Sequence, residues 1–252
     1  MQVSIANIQF SISPSNPALN LKRMEEFIEE ASRGAQLVVF PEDSVTGPLS
    51  GQVNFVEEAP FYLSEFQRMA IKYGVDIVPG TWTTQVGPSR FNTAYYINND
   101  GSVAGSYHKI NLWKNEKAIV SPGTKASVFP TRFGMVGLSI CWDLAFPLLF
   151  SEMAKQHAKL IISPSYWSFT RMANKNEDTA EDEILLIDSL CTTRAFENNV
   201  VFVYCNAAGE LKAEGIDAVL SGRSQVTHPH EKVICKSESN EEEILYSDVE
   251  LT

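Results

Sequence analysis

Residues 2–10 alternate in character. Val3 and Ile5 fall on one side of an extended strand, and Ile8 and Phe10 fall on the other. From Asn16-Pro17 the period changes. Leu21, Met24, Phe27, Ile28 and Ala31 recur at helical spacing, Pro17 suits a first helical turn, and Gly34 fits as a stop. LVVF at 37–40 is a continuous apolar run, as expected of a strand covered on both faces. The sequence then predicts a helix over 61–73 ending at Gly74 and a strand in VDIVPGTW (75–82). FNTAYYI, NNDG and SVAGSYHK (91–109) read as a hairpin. Strands follow near 127–129 and 135–140, a helix over 147–157 and a strand in KLIISPS. A long helix near 181–198 precedes the strand VVFVYCN, and three short strands near 218–227, 232–236 and 244–250 complete the pattern. Residues 165–182 lack periodicity and read as a long loop, a feature often functional inside a domain. Helices and strands alternate without a linker, which predicts one α/β domain over residues 1–252.

Composition narrows the function. An apolar fraction of 44% and a charged fraction of 20% are those of a globular chain. A net charge of −11 argues against nucleic acid, whose phosphates require clustered Lys and Arg. No apolar run approaches membrane-spanning length, and the N-terminus lacks the basic and apolar regions of a secretory signal. The cysteines at 141, 191, 205 and 235 form no CxxC pair, so the expectation is a reducing, cytoplasmic compartment.

Four polar residues stand at strand tips or in a loop after one. Glu42 ends LVVFPE, Lys109 ends SVAGSYHK, Cys141 ends VGLSIC, and Glu116 lies in NLWKNEKAIVSPG. Taken singly, each has an ordinary reading: a core cysteine, a turn acid, a surface lysine, a solvated loop charge. Together they make a chemical set. A thiolate is the nucleophile and a nearby cation favours it. A carboxylate can take the thiol proton and pass it to a leaving amine. The lysine and the Trp142 backbone N–H can stabilise an oxyanion. This chemistry needs no metal and no cofactor. His228 and His230 have no third ligand in the sequence, and GxSxG, GxGxxG and GxxxxGK[ST] are all missing. His108 neighbours Lys109, but on a strand it faces the opposite way.

In this order the segments resemble the nitrilase superfamily of carbon–nitrogen hydrolases, on its amidase-like branch. VVFPE, YHKINLW and LSICWDLAFP resemble its glutamate, lysine and cysteine segments. EKAIVSPG, TRAFENNVVFVYCNAAG, SGRSQVTHPHEKV and EEILYSDVEL resemble four others, so the likeness covers nearly the whole chain. It implies a four-layer α-β-β-α sandwich. It also implies Cys141 as nucleophile, Glu42 as base, Lys109 as stabiliser of the intermediate and Glu116 as auxiliary carboxylate. A homodimer or higher homo-oligomer is the family habit.

Departures from the family pattern bear on substrate. Leu144 and Ala145 stand where many relatives carry an arginine able to pair with a substrate carboxylate, which leaves Arg171 in the long loop as a replacement. Asp143 stands where nitrilases have Glu, which favours an amidase. Trp142, Tyr166 and Trp167 are candidates for an apolar pocket wall, with Trp167 preferred. The expectation is a cysteine-dependent hydrolase that cleaves a small amide through a thioester, releasing ammonia or amine. The alternatives are a nitrilase, an N-carbamoyl amide hydrolase, an acyl transferase to amines, and a non-catalytic binding protein.

Overall fold

The computed structural model describes residues 1–48, 54–170, 180–213 and 216–251. In chain order, β1 (Gln2–Gln9) and α1 (Pro17–Ala31) lead to β2 (Leu37–Val39), the short α2 (Asn54–Glu57) and α3 (Ala59–Tyr73). Then come β3 (Asp76–Val78), β4 (Thr81–Val86), β5 (Ser89–Ile97), β6 (Val103–His108), β7 (Ser127–Thr131) and β8 (Gly134–Leu138). α4 (Pro147–Lys155), β9 (Leu160–Ser165), β10 (Ser168–Thr170), α5 (Ala180–Asn198) and β11 (Val201–Asn206) follow. β12 (Glu210–Ala213), β13 (Ile216–Leu220), β14 (Gln225–His228), β15 (Lys232–Lys236) and β16 (Glu243–Glu250) complete the chain.

The strands make two large sheets. One has the order β16-β1-β2-β3-β5-β4, with β6 also paired to β5; the other has the order β15-β14-β11-β9-β8-β7. In β1, alternate residues point to opposite layers. Ala6 and Ile8, with Phe10 just beyond the strand, pack under Leu21, Met24 and Ile28 of α1 and Phe66 and Met69 of α3. Val3 and Ile5 face inward and share a core with Val136, Leu138 and Val203 of the second sheet. That core continues to Leu149, Phe150 and Met153 of α4 and Ile187, Cys191 and Ala195 of α5. The result is the expected four-layer α-β-β-α sandwich. Among the described residues, no helix is long and apolar enough to cross a membrane.

Local chemistry explains the element ends. Asn16 caps α1, its Oδ1 accepting from the Leu19 N–H at 3.2 Å. Gly74 ends α3 in the left-handed region, with φ 68°. Gly34 does not end α1: the cap is Ser32, right-handed at φ −61°. The strand expected over 75–82 is two strands. Gly80, at φ +82°, turns the chain between them so close to Pro41 that a Cβ would lie 1.8 Å from its carbonyl oxygen. The strand expected over 218–227 also divides, into β13 and β14. β13 belongs to a small third sheet, β10-β13-β12. The loop expected over 165–182 therefore opens with the tail of β9 and with β10, which pairs with β13. Residues 171–179, Arg171 among them, lie outside the described residues.

Candidate active site

Strand ends from both sheets meet along one edge of the sandwich. β2 runs into Glu42 and β6 into Lys109; both belong to the first sheet. β8 and β9, neighbours in the second sheet, run into Cys141 and Tyr166. Glu116 sits in a 3-10 turn, Lys114–Ala118, just after the lysine strand. The two sheets touch here directly, the Glu42 N–H donating to the Ser165 carbonyl at 3.2 Å.

Lys109 is only 2% exposed, and its ammonium lies between two carboxylates. Nζ donates to Glu42 Oε1 at 2.8 Å and to Glu116 Oε2 at 2.7 Å. A buried charge needs such partners. Burial opposes the ammonium, but the charges of Glu42, Cys141 and Glu116 outweigh it and hold Lys109 well above its ordinary pKa. Glu42 is raised: burial is the largest cause, Lys109 works against it, and the Glu116 charge adds to it. Glu42 Oε2 accepts the Tyr166 N–H at 3.0 Å, and the Cys141 thiol lies close enough to feel this carboxylate's charge. Burial and the Glu42 charge push Cys141 well above a normal thiol, Lys109 pulling the other way. Burial thus pushes both groups toward their neutral forms, and the charge of each raises the cost of ionising the other.

Cys141 has φ 45°, a conformation uncommon outside glycine, and it opens the 3-10 turn Cys141–Ala145. Within that turn the Asp143 N–H donates to the Ile140 carbonyl at 3.0 Å and the Phe146 N–H to the Asp143 carbonyl at 2.9 Å. Trp142 projects into an aromatic group. Its ring centroid lies 4.3 Å from Trp113, 5.3 Å from Trp167 and 6.3 Å from Phe146. Trp167 is held on both sides, its Nε1–H donating to Glu183 Oε2 at 2.9 Å and its backbone N–H to Asn206 Oδ1 at 2.7 Å. The Tyr166 side chain packs instead against the cluster beneath α1 and α3. Leu144 is fully buried, and its carbonyl accepts from Arg194 Nε at 3.0 Å. His108 turns away from Lys109, its Nδ1 lying 2.9 Å from Thr93 Oγ1. His228 Nδ1 accepts the backbone N–H groups of His230 and Glu231.

Three site residues escape the sequence reading. Asn92, in β5, donates Nδ2 to Glu42 Oε1 at 2.8 Å and to Glu116 Oε1 at 3.1 Å. Its sign is a lone amide among inward-facing Ala94 and Tyr96. Asn206 fixes the Trp167 backbone and also donates to Ser221 Oγ and the Gly222 carbonyl. Asp143 is considered from sequence only as a marker of chemistry, yet it is a hub of hydrogen bonds.

A four-layer sandwich with glutamate, lysine and cysteine gathered at one strand edge defines a class, and wider comparison names it. Residues 4–252 match the carbon–nitrogen hydrolase family, to which the chain belongs. It is similar to the 2-oxoglutaramate amidase of Bacillus subtilis, 26% identical across 100% of this chain and 92% of that protein. An omega-amidase of Homo sapiens is 28% identical across 98% of this chain and 88% of its own. Among solved structures, an amidase from Nesterenkonia sp. AN1 in complex with acrylamide is 25% identical. That match covers 99% of this chain and 91% of its own, with a TM-score of 0.86. Another form of that amidase carries the acetamide moiety of fluoroacetamide on its active-site cysteine. It is 26% identical over 98% of this chain and 90% of its own, with a TM-score of 0.85. The chain is a cysteine-dependent hydrolase of non-peptide carbon–nitrogen bonds.

Proposed function

We propose that the protein hydrolyses a small, largely neutral primary amide. The observation that carries this reading is the buried group in which one ammonium joins two carboxylates, one of them beside the Cys141 thiol. Cys141 attacks the amide carbon as its proton moves to Glu42. Lys109 has three N–H donors and gives two to Glu42 and Glu116; the third, with the Trp142 N–H, receives the oxyanion. Glu42 returns the proton to nitrogen, the C–N bond breaks and ammonia leaves. Water then loses a proton to Glu42 and attacks the thioester. The C–S bond breaks, the carboxylic acid departs, and the proton returns to sulfur. Glu116 holds Lys109 in place throughout.

The preference for a neutral substrate follows from Leu144 and Ala145, which bring no cation to the nucleophile's turn, and from the apolar wall of Trp142 and Trp167. The relatives named for omega-amides support a second reading, a substrate carrying a carboxylate, with Arg171 as its partner. We place the enzyme in the cytoplasm, in keeping with four free cysteines. The exposed Leu148 of α4 and Leu185 and Phe196 of α5 support a homodimer built on these helices, from single-domain chains.

One experiment addresses chemistry and substrate together. Ammonia release is followed with short aliphatic amides and with omega-amides of dicarboxylic acids. The neutral amides should give the higher kcat/KM, and Cys141→Ala should abolish release. Faster turnover of the omega-amides would favour the second reading, and activity that survives Cys141→Ala would overturn the mechanism.

A further inference from the structure

Asp143 lies two residues past the nucleophile and is fully buried. Its Oδ2 accepts from the Ile140 N–H at 3.0 Å and from the Tyr107 hydroxyl at 2.8 Å. Its Oδ1 accepts from the Asn111 N–H at 2.9 Å and from Asn111 Nδ2 at 2.9 Å. A carboxylate offers about four acceptor sites, and here each meets a donor. Asp143 therefore has no acceptor to give a substrate, and its effect must pass through the residues it holds.

Those residues come from two places. Ile140 immediately precedes Cys141 and follows β8, in the six-stranded sheet. Tyr107 and Asn111 flank Lys109, at the end of β6 in the other sheet. The Ile110 N–H joins the same set by donating to the Tyr107 oxygen at 3.2 Å. Lys109 is thus bracketed by three residues that lead to Asp143, although its own ammonium bonds to Glu42 and Glu116. On the cysteine side, the bond to the Ile140 N–H closes the turn in which Cys141 holds its left-handed φ. Such a conformation persists only where its surroundings over-determine it.

We infer that Asp143 is a positioning residue that sets the placement of the Cys141 thiol relative to the Lys109 ammonium by fastening the two sheets together at the catalytic edge. The inference rests on the roles proposed above for Cys141 and Lys109. A carboxylate is required because all four partners are donors. Asparagine would keep the two bonds from Asn111 but turn an NH₂ toward the Ile140 N–H and the Tyr107 hydroxyl, leaving a buried backbone donor unpaired. The turn would shift, and a misplacement of about 1 Å in a reacting group can cost about 100-fold in rate.

The test compares parent, Asp143→Asn, Tyr107→Phe and the double variant on one neutral amide, with kcat expressed per reactive thiol. Asp143→Asn should lower kcat about 100-fold while KM stays within about threefold, because the lost alignment acts on the transition state. Tyr107→Phe removes one donor of the four and should lower kcat about tenfold. The double variant should be no worse than Asp143→Asn alone, since both changes break one device. A per-thiol kcat for Asp143→Asn within about threefold of the parent would overturn the inference, as would effects that multiply in the double variant. If Asp143→Asn does not fold, Tyr107→Phe decides, and an unchanged kcat overturns the inference. These results leave the Cys141→Ala outcome untouched, so the mechanism and this refinement fail separately.

Discussion

Glu116 shows how one residue can act on two neighbours at once. Its Oε2 accepts from Lys109 at 2.7 Å and from the Trp113 N–H at 2.7 Å, and its Oε1 accepts from Asn92. Its charge also raises Glu42, whose largest upward push is burial. Catalysis as proposed needs Glu42 ionised, so the acid limb of the rate profile should lie above the ordinary carboxylate range. Glu116→Gln removes a negative neighbour, which lowers the Glu42 pKa. The limb should therefore move to lower pH. At the same time kcat should fall about 10- to 100-fold, because Lys109 loses a charged anchor. A kcat/KM profile over pH 4–9 checks both effects, and a limb that moved upward would contradict the coupling.

At the scale of elements, α1 and α3 are tied across the outer layer through Glu25. It accepts from Arg68 Nη1 at 3.1 Å and Nη2 at 2.9 Å, and from Lys72 Nζ at 2.9 Å. The hydrogen bond from Arg68 is the largest cause that brings the Glu25 carboxyl down to about 2. A depressed pKa gives stability that is complete above about 4.5 and is lost as pH falls toward 2. Solvent screening at this half-open site leaves about 1 kcal/mol. Glu25→Gln should be destabilised by that amount in urea unfolding at pH 7, with the gap closing as the pH nears 2.

The elements themselves were legible because their causes are local. The 3.6 period of Leu21, Met24 and Ile28, the Asn16 cap and the Gly74 stop each act within a few residues. Glu42, Lys109 and Cys141 enter one candidate set for the same reason: each ends a segment that reads as a strand. Asn92 and Asp143 stayed hidden because their partners come from other strands, and from another sheet in the case of Asp143; no periodicity encodes that contact. Gly80 was also missed as a break. Its need arises from the approach of Pro41, which the segment 75–82 does not itself contain.

At the scale of the whole molecule, the first and last strands lie side by side. β16 runs antiparallel to β1 along its full length, from Gln2 opposite Glu250 to Gln9 opposite Glu243, and the Leu251 N–H donates to the Met1 carbonyl at 2.6 Å. β1 is an interior strand only because of this pairing, since its other neighbour is β2. The consequence is one of timing. A chain made from its N-terminus presents β1 with one open edge until Glu243–Glu250 has left the ribosome, and contacts so distant in sequence form slowly. Until β16 is in place that edge can pair with a stranger. Pulse-labelled hydrogen exchange during refolding should therefore find the β1 amides that face β16 protected late, in step with β16 itself, after those of α1 and α3. β16 is the strand whose arrival closes the open edge of β1.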